Sequence, residues 1–237
     1  MSDSALAIFD LDGTITRRDT LLPYIWGYLR RHPRRWWRLP LCLGPLALYL
    51  CGRADRGALK GAVIRLTLGE ATRSELAAWS RDFTARLLRT GLYAEALACI
   101  SAHRNTRAHL VLLSASPDLY VPEIARALGF DECICTELRW REDGTLDGAL
   151  ASVNRRGPEK TRCVHSLLLS RQPRTSHAYG NSTADLGHLR LVSAGTYVNG
   201  ATRHLADCPN VRAVRWREPG SAAPTTPAAP AAGSASL

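Results

Sequence analysis

The run ALAIF at residues 5–9 stops at Asp10, and a second aspartate, Asp12, follows one residue later with Gly13 behind it. Five apolar residues bounded by polar ones read as a short buried strand. Two carboxylates at i and i+2 of an extended segment point to the same side. They repel unless a cation or a shared proton separates them. A chain that opens this way needs a sheet whose first strand delivers both acids to one edge, and something positive at that edge. Taken alone, DLDG reads equally well as a polar turn after a strand. An EF-hand reading fails: counting from Asp10, position 6 is Ile15 rather than glycine and position 12 is Leu21 rather than glutamate.

Residues 17–95 read as almost wholly helical. Within them, 74–88 places Leu76, Trp79, Phe83 and Leu87 on one face, the spacing of a core-packing stripe. Strand-like and helical segments then alternate. Strands are expected at 109–116, 132–140, 176–180 and 195–199. Helices are expected at 117–130, after a proline start and closing at Gly129, at 157–171, and after Ser182. Asp143 and Gly144 mark a hairpin turn. The Pro/Ala/Ser/Gly-rich stretch 218–237 reads as a disordered tail. Such alternation argues for an α/β fold with a parallel, Rossmann-like sheet. The expected organisation is a core of 1–16 and 96–217, interrupted after its first strand by an all-helical insertion, 17–95. In open α/β sheets ligands bind beyond the carboxyl ends of the strands. Asp10 with Asp12, Ser114 to Ser116, and Asn181 with Asp185 all fall there.

The insertion also carries the charge. Of the net +10, residues 17–95 contribute most, with 15 Lys/Arg against 6 Asp/Glu, while the rest has 16 against 15. That asymmetry points to an anionic partner or surface. No recognised nucleic-acid module accompanies it, so no nucleic acid is expected. The N-terminus lacks the basic and long apolar regions of a secretory signal. Seven cysteines without CxxC spacing read as reduced thiols of a cytoplasmic protein rather than a zinc site.

Mg²⁺ answers the repulsion between Asp10 and Asp12: it is hard, prefers oxygen, and takes one or two carboxylates together with substrate phosphate. One carboxylate can attack phosphorus and the other can move protons. Phosphoryl transfer also needs donors and positive charge. Ser114 offers a hydroxyl at a strand end. Lys160, near the start of a helix, is one of two lysines in an arginine-rich chain and supplies a compact point charge. Alone, Ser114 reads as a strand-end hydroxyl and Lys160 as a solvated helix residue; their order and context give them weight.

These residues resemble the four motifs of the haloacid dehalogenase superfamily: DLDGTIT, LLSAS, GPEK and YGNSTAD, spread over residues 5–210. The helical insertion is similar to the C1 cap of subfamily IB, which includes phosphoserine phosphatase-like enzymes. The resemblance implies Mg²⁺-dependent phosphomonoester hydrolysis through an aspartyl phosphate. Asp10 would be the nucleophile and Asp12 the general acid/base, with Ser114 and Lys160 binding phosphate. Asp10, Asp12, Asn181 and Asp185 would form the metal site. Asn181 stands where the family's first motif IV acid is usual, which removes one negative charge and implies weaker metal binding. Asp19 resembles an acidic substrate-binding residue of phosphoserine phosphatases; it also reads as a helix N-cap.

Residues 29–53 hold five arginines and two tryptophans ahead of a 13-residue apolar run, 39–51, too short to span a bilayer. The run reads either as a buried helix of the insertion or as a segment lying in a membrane interface, with Trp36 and Trp37 at headgroup depth. The arrangement resembles the cap of bacterial phosphatidylglycerophosphate phosphatases. The expected substrate is therefore a small phosphate ester or a lipid headgroup phosphate, with peripheral contact to an anionic membrane as the second partner. Two rivals remain. One is a membrane-associating binding protein with a phosphatase-like core. The other is a serine hydrolase using Ser182 in GNSTA, weakened by Ala184 in place of the second glycine.

Overall fold

The computed structural model describes residues 5–217, so the expected tail at 218–237 lies outside the described residues. Strand β1 (Ala5–Phe9) is followed by five α-helices: α1 (Leu21–Arg31), α2 (Leu43–Leu50), α3 (Arg56–Leu68), α4 (Arg73–Thr90) and α5 (Ala94–Asn105). A 3₁₀ segment, Pro33–Cys42, joins α1 to α2. The chain returns through β2 (His109–Pro117), α6 (Val121–Leu128), β3 (Glu132–Thr136), β4 (Leu138–Trp140) and β5 (Leu146–Leu150). It closes with α7 (Pro158–Arg171), β6 (Thr175–Gly180), the short α8 (Leu186–Leu189), β7 (Ala194–Val198) and β8 (Val211–Val214).

Six strands form one parallel sheet in the order β3-β2-β1-β6-β7-β8. β1 sits at its centre because all but its first residue are buried on both faces. Ala7 and Phe9 join the larger core, with Tyr24, Trp79, Phe83 and Tyr120. Leu6 and Ile8 join a smaller one with Val164, Leu167 and Leu189. The chain moves outward from β1 to β3 on one side and from β6 to β8 on the other. The switch of direction beside β1 opens a crevice beyond its carboxyl end.

β4 and β5 make a separate antiparallel hairpin, turned at Asp143 and Gly144 as expected, with Gly144 at φ +78°. The hairpin packs on α3. Glu70 and Ala71, at the end of that helix, exchange backbone bonds with Leu146.

Four sequence expectations change. The helix expected from Pro117 begins at Val121, because Pro117 stays paired with Thr136 as the last residue of β2. The strand expected at 132–140 breaks at Glu137, whose N–H and carbonyl turn to Ser152 and Ala151 instead. The helix expected after Ser182 shrinks to a 3₁₀ turn and one helical turn. The apolar run at 39–51 is not buried: neither the 3₁₀ segment nor α2 contributes a buried residue, and Leu43 and Leu50 are 65% and 73% exposed. Among the described residues no helix is long and apolar enough to cross a membrane.

Candidate active site

Asp10 extends β1 by one bond, its N–H donating to Tyr179 O at 3.0 Å. The chain then turns tightly: Leu11 O accepts from the N–H groups of Thr14, Ile15 and Thr16. Gly13 makes the turn possible at φ +75°, and its bare Cα lets Asn181 lie against it; a Cβ there would sit 2.0 Å from Asn181 Nδ2. Strand, turn and glycine thus bring the first and last motifs into contact.

The ammonium of Lys160, reaching from the first turn of α7, lies between two carboxylates. It donates to Asp10 Oδ1 at 2.6 Å and Asp185 Oδ1 at 2.8 Å, and all three side chains are buried. Asp185 Oδ2 accepts from the N–H groups of Asn181 and Ser182 and from Ser182 Oγ. Burial opposes charge on Asp185, yet Lys160 and these bonds hold its carboxyl below the usual range. Burial likewise opposes charge on Lys160, and Asp10 with Asp185 raises it above the ordinary lysine value. One cation cannot neutralise two carboxylates, and Asp10 is the group that yields. Its pKa is pushed up to about 7 by burial, with Asp185 and Asp12 adding like charge against the pull of Lys160.

Asp12 is oriented rather than paired. Its Oδ1 accepts from Thr20 N and Oγ1 at 2.8 and 2.6 Å, and its Oδ2 from Ser116 Oγ at 2.5 Å. Burial, reinforced by Asp19, raises its pKa. A carboxyl so held and so raised suits reversible proton transfer.

A cavity of about 660 Å³ opens over these groups, lined by Asp10, Asp12, Asp19, Lys160, Asn181 and Asp185. Six of the seven expected site residues therefore share one space. The seventh, Ser114, does not line it: it is fully buried, and its Oγ accepts the Ser116 N–H at 3.0 Å. From this strand end it is Ser116 that lines the cavity. Asp19 lines the cavity; the N-cap of α1 is Thr20 rather than Asp19, which sits one position earlier and accepts the Leu21 N–H at 2.9 Å.

Sequence reasoning missed Lys60. From α3 its Nζ donates to Ala115 O at 2.6 Å and Asn154 Oδ1 at 2.5 Å, on the wall of the same cavity. Burial pulls it down to about 8. The signal was its rarity: the chain has two lysines, and both meet here.

Among the described residues Ser182 has no imidazole partner. Its Oγ donates to Asp185, and the nearest histidine to that acid, His188, is buried with Nδ1 4.0 Å from Asp185 Oδ1. Among the described residues no group of three or more His, Cys, Asp or Glu forms a metal cage. The donors are instead mixed. Asp185 has both oxygens engaged, and so does Asp12. Asp10 retains Oδ2 with only a 3.4 Å contact from Thr14 Oγ1, and the Asn181 side chain makes no hydrogen bond among the described residues. Surplus negative charge on Asp10 beside a free amide oxygen fits a hard divalent cation that keeps several waters.

The family model described as haloacid dehalogenase-like hydrolase matches residues 7–190. The chain is 32% identical to Protein CicA of Caulobacter vibrioides over 193 residues, 81% of this chain and 85% of that protein. It is 34% identical over 110 residues to a probable phosphatase of Mycobacterium tuberculosis, 46% of this chain and 38% of that protein. Among solved structures, a protein of unknown function from Bordetella pertussis Tohama I superposes with a TM-score of 0.74 at 23% identity, covering 90% of this chain and 99% of that one.

Proposed function

The chain belongs to the haloacid dehalogenase-like hydrolase family, and from that membership we propose a phosphatase that cleaves phosphomonoesters through an aspartyl phosphate on Asp10. The observation that carries this reading is the pairing of a buried Asp10–Lys160–Asp185 cluster with a separately oriented Asp12 on one cavity.

The Asp10 carboxylate forms a bond to phosphorus as the ester P–O bond breaks. Asp12 gives its proton to the departing alkoxide. Asp12 then takes a proton from water, which attacks phosphorus, breaks the acyl–phosphate bond and returns Asp10 as carboxylate. Lys160 stays charged beside the nucleophile and offsets charge on the phosphoryl oxygens. Lys60 and Ser116 add a cation and a donor, and Ser114 braces the turn that presents Ser116. Asp10 and Asn181 would hold Mg²⁺, with Asp12 and Asp185 set around them; bound there, the ion supplies charge neutralisation between nucleophile and phosphate.

The substrate is a small phosphate ester or a lipid headgroup phosphate, phosphoserine-like or phosphatidylglycerophosphate-like. Exposed Leu22, Trp26, Trp36, Trp37, Leu43 and Leu50 support a seat on an anionic membrane surface, and Leu22 also lines the cavity. All seven cysteines are free thiols, which fits the reducing cytoplasm. Purified protein is expected to hydrolyse an aryl phosphate, to stop in EDTA, and to lose at least about a thousandfold in kcat in Asp10→Asn. Undiminished turnover by Asp10→Asn would sink the mechanism.

A further inference from the structure

We propose that the cleft between α1 and α4 is a second anion subsite, which takes a second phosphate group of the molecule whose phosphomonoester enters the catalytic cavity. This rests on the phosphatase reading and extends it to the class of substrate. The cleft encloses about 830 Å³. Its walls carry Arg17, Arg18, Arg30, Arg31 and Arg86 against a single acid, Asp19, over an apolar floor that includes Trp79 and Phe83. Arg17, Arg18 and Asp19 also line the catalytic cavity, so the two spaces share a wall.

Charge in the cleft is only partly countered, with Asp82 near Arg31 and Arg86. Arg31 pairs with Asp82 at 2.7 Å, and both side chains are about half exposed. Among the described residues the other four arginines have no carboxylate within ion-pair distance, and Arg17 Nε is buried without an acceptor. The guanidinium carbons of Arg31 and Arg86 lie 4.6 and 4.7 Å from the Trp79 ring centroid, so stacking fixes two of the cations in place. A cleft lined by one sign of charge concentrates the opposite sign. Guanidinium forks match phosphate oxygens two at a time. The apolar floor suits an uncharged linker between two phosphates. Free bisphosphates and phosphates carried on lipid headgroups share this chemistry.

Kinetics of a linear alkane bisphosphate, a monoester at each end, are compared with those of an aryl phosphate in wild type and in an Arg30→Gln, Arg86→Gln double variant. Both side chains are exposed, so the fold is retained; Arg30→Gln alone repeats the comparison if the double variant is unstable. The variant is expected to raise KM for the bisphosphate about tenfold while kcat and KM for the aryl phosphate stay within about twofold. Equal changes for both compounds, or none for either, overturn the proposal. A second arm presents a terminal monoester on a lipid in zwitterionic vesicles. A KM rise for the soluble bisphosphate, with or without one for the lipid, upholds the subsite. A rise confined to vesicles means that the arginines meet the bilayer, and overturns it. If wild type hydrolyses neither soluble compound, the phosphatase reading has failed by itself. Calorimetric titration with the bisphosphate then decides the subsite: about tenfold weaker binding by the variant upholds it, and equal binding overturns it.

Discussion

Asp118 shows what burial does to a carboxylate that forms no ion pair among the described residues. It sits in the turn after β2, where its Oδ1 accepts the Leu138 N–H at 3.2 Å. Burial, with Glu137 adding like charge, pushes its pKa up to about 6. The folded chain then binds a proton more tightly than the unfolded chain, so stability falls as pH rises from about 4 to about 6 and is flat above. Asp118→Asn keeps the acceptor and removes the charge. It should stabilise the protein by about 1 to 2 kcal/mol at pH 7.5 and by little at pH 4, read from urea unfolding at both. No gain at pH 7.5 would show that the carboxylate is solvated after all. At this scale the sequence was most legible where chemistry forced residue types together. Asp10, Asp12, Lys160, Asn181 and Asp185 are such a set. Ser116 was less so, because Ser114 and Ser116 both lie at the strand end, and the register shift between Leu113 and Pro117 that decides their placement is invisible in the sequence. Lys60 was least legible, since a single lysine on a helix looks like any solvated one.

Between elements, the β4–β5 hairpin approaches α3 backbone to backbone. Gly148 has φ +84°, and a Cβ there would lie 2.6 Å from both N and Cα of Arg65. Opposite it, Gly61 on α3 faces Gly148 O. Two bare backbones therefore meet where helix and hairpin join. Gly148→Ala adds a clash with backbone to the strain of positive φ, and should cost about 2 kcal/mol or more. Gly144→Ala, at φ +78° in open space, carries the strain alone and should cost about 1 kcal/mol. Equal melting temperatures for the two variants would argue that the hairpin simply moves off the helix. The hairpin turn was readable from Asp143 and Gly144, but its partner was not, because nothing local in LDGAL names the helix it packs on. β8 escaped notice for a related reason: VRAV is four residues long with arginine inside, and only pairing with β7 makes it a strand. β1 and β2 were readable because burial on both faces leaves an apolar run in each.

Over the whole molecule, apolar side chains exposed between Leu22 and Leu50 lie beside the basic stretch that holds Arg34, Arg35 and Arg38. Each arginine near an anionic bilayer contributes on the order of 1 kcal/mol, screened within a Debye length of about 10 Å at 0.1 M salt. The protein should co-sediment with anionic liposomes at low salt, release as salt rises, and bind weakly when Arg34, Arg35 and Arg38 are changed to Ser. Wild type that stays in the supernatant at low salt would leave a soluble ester as the substrate. The placement of the two lysines has another use. Lys60 and Lys160 carry the molecule's only ε-amino groups, and both face the catalytic cavity. Reductive methylation with isotopically labelled formaldehyde would therefore install side-chain labels nowhere else. Lys60, lowered to about 8 and joined only to neutral oxygens, should label first. Lys160, locked between two acids, should label last. A protein of this size would then report events in its cavity through two methylated amines, without any residue being replaced.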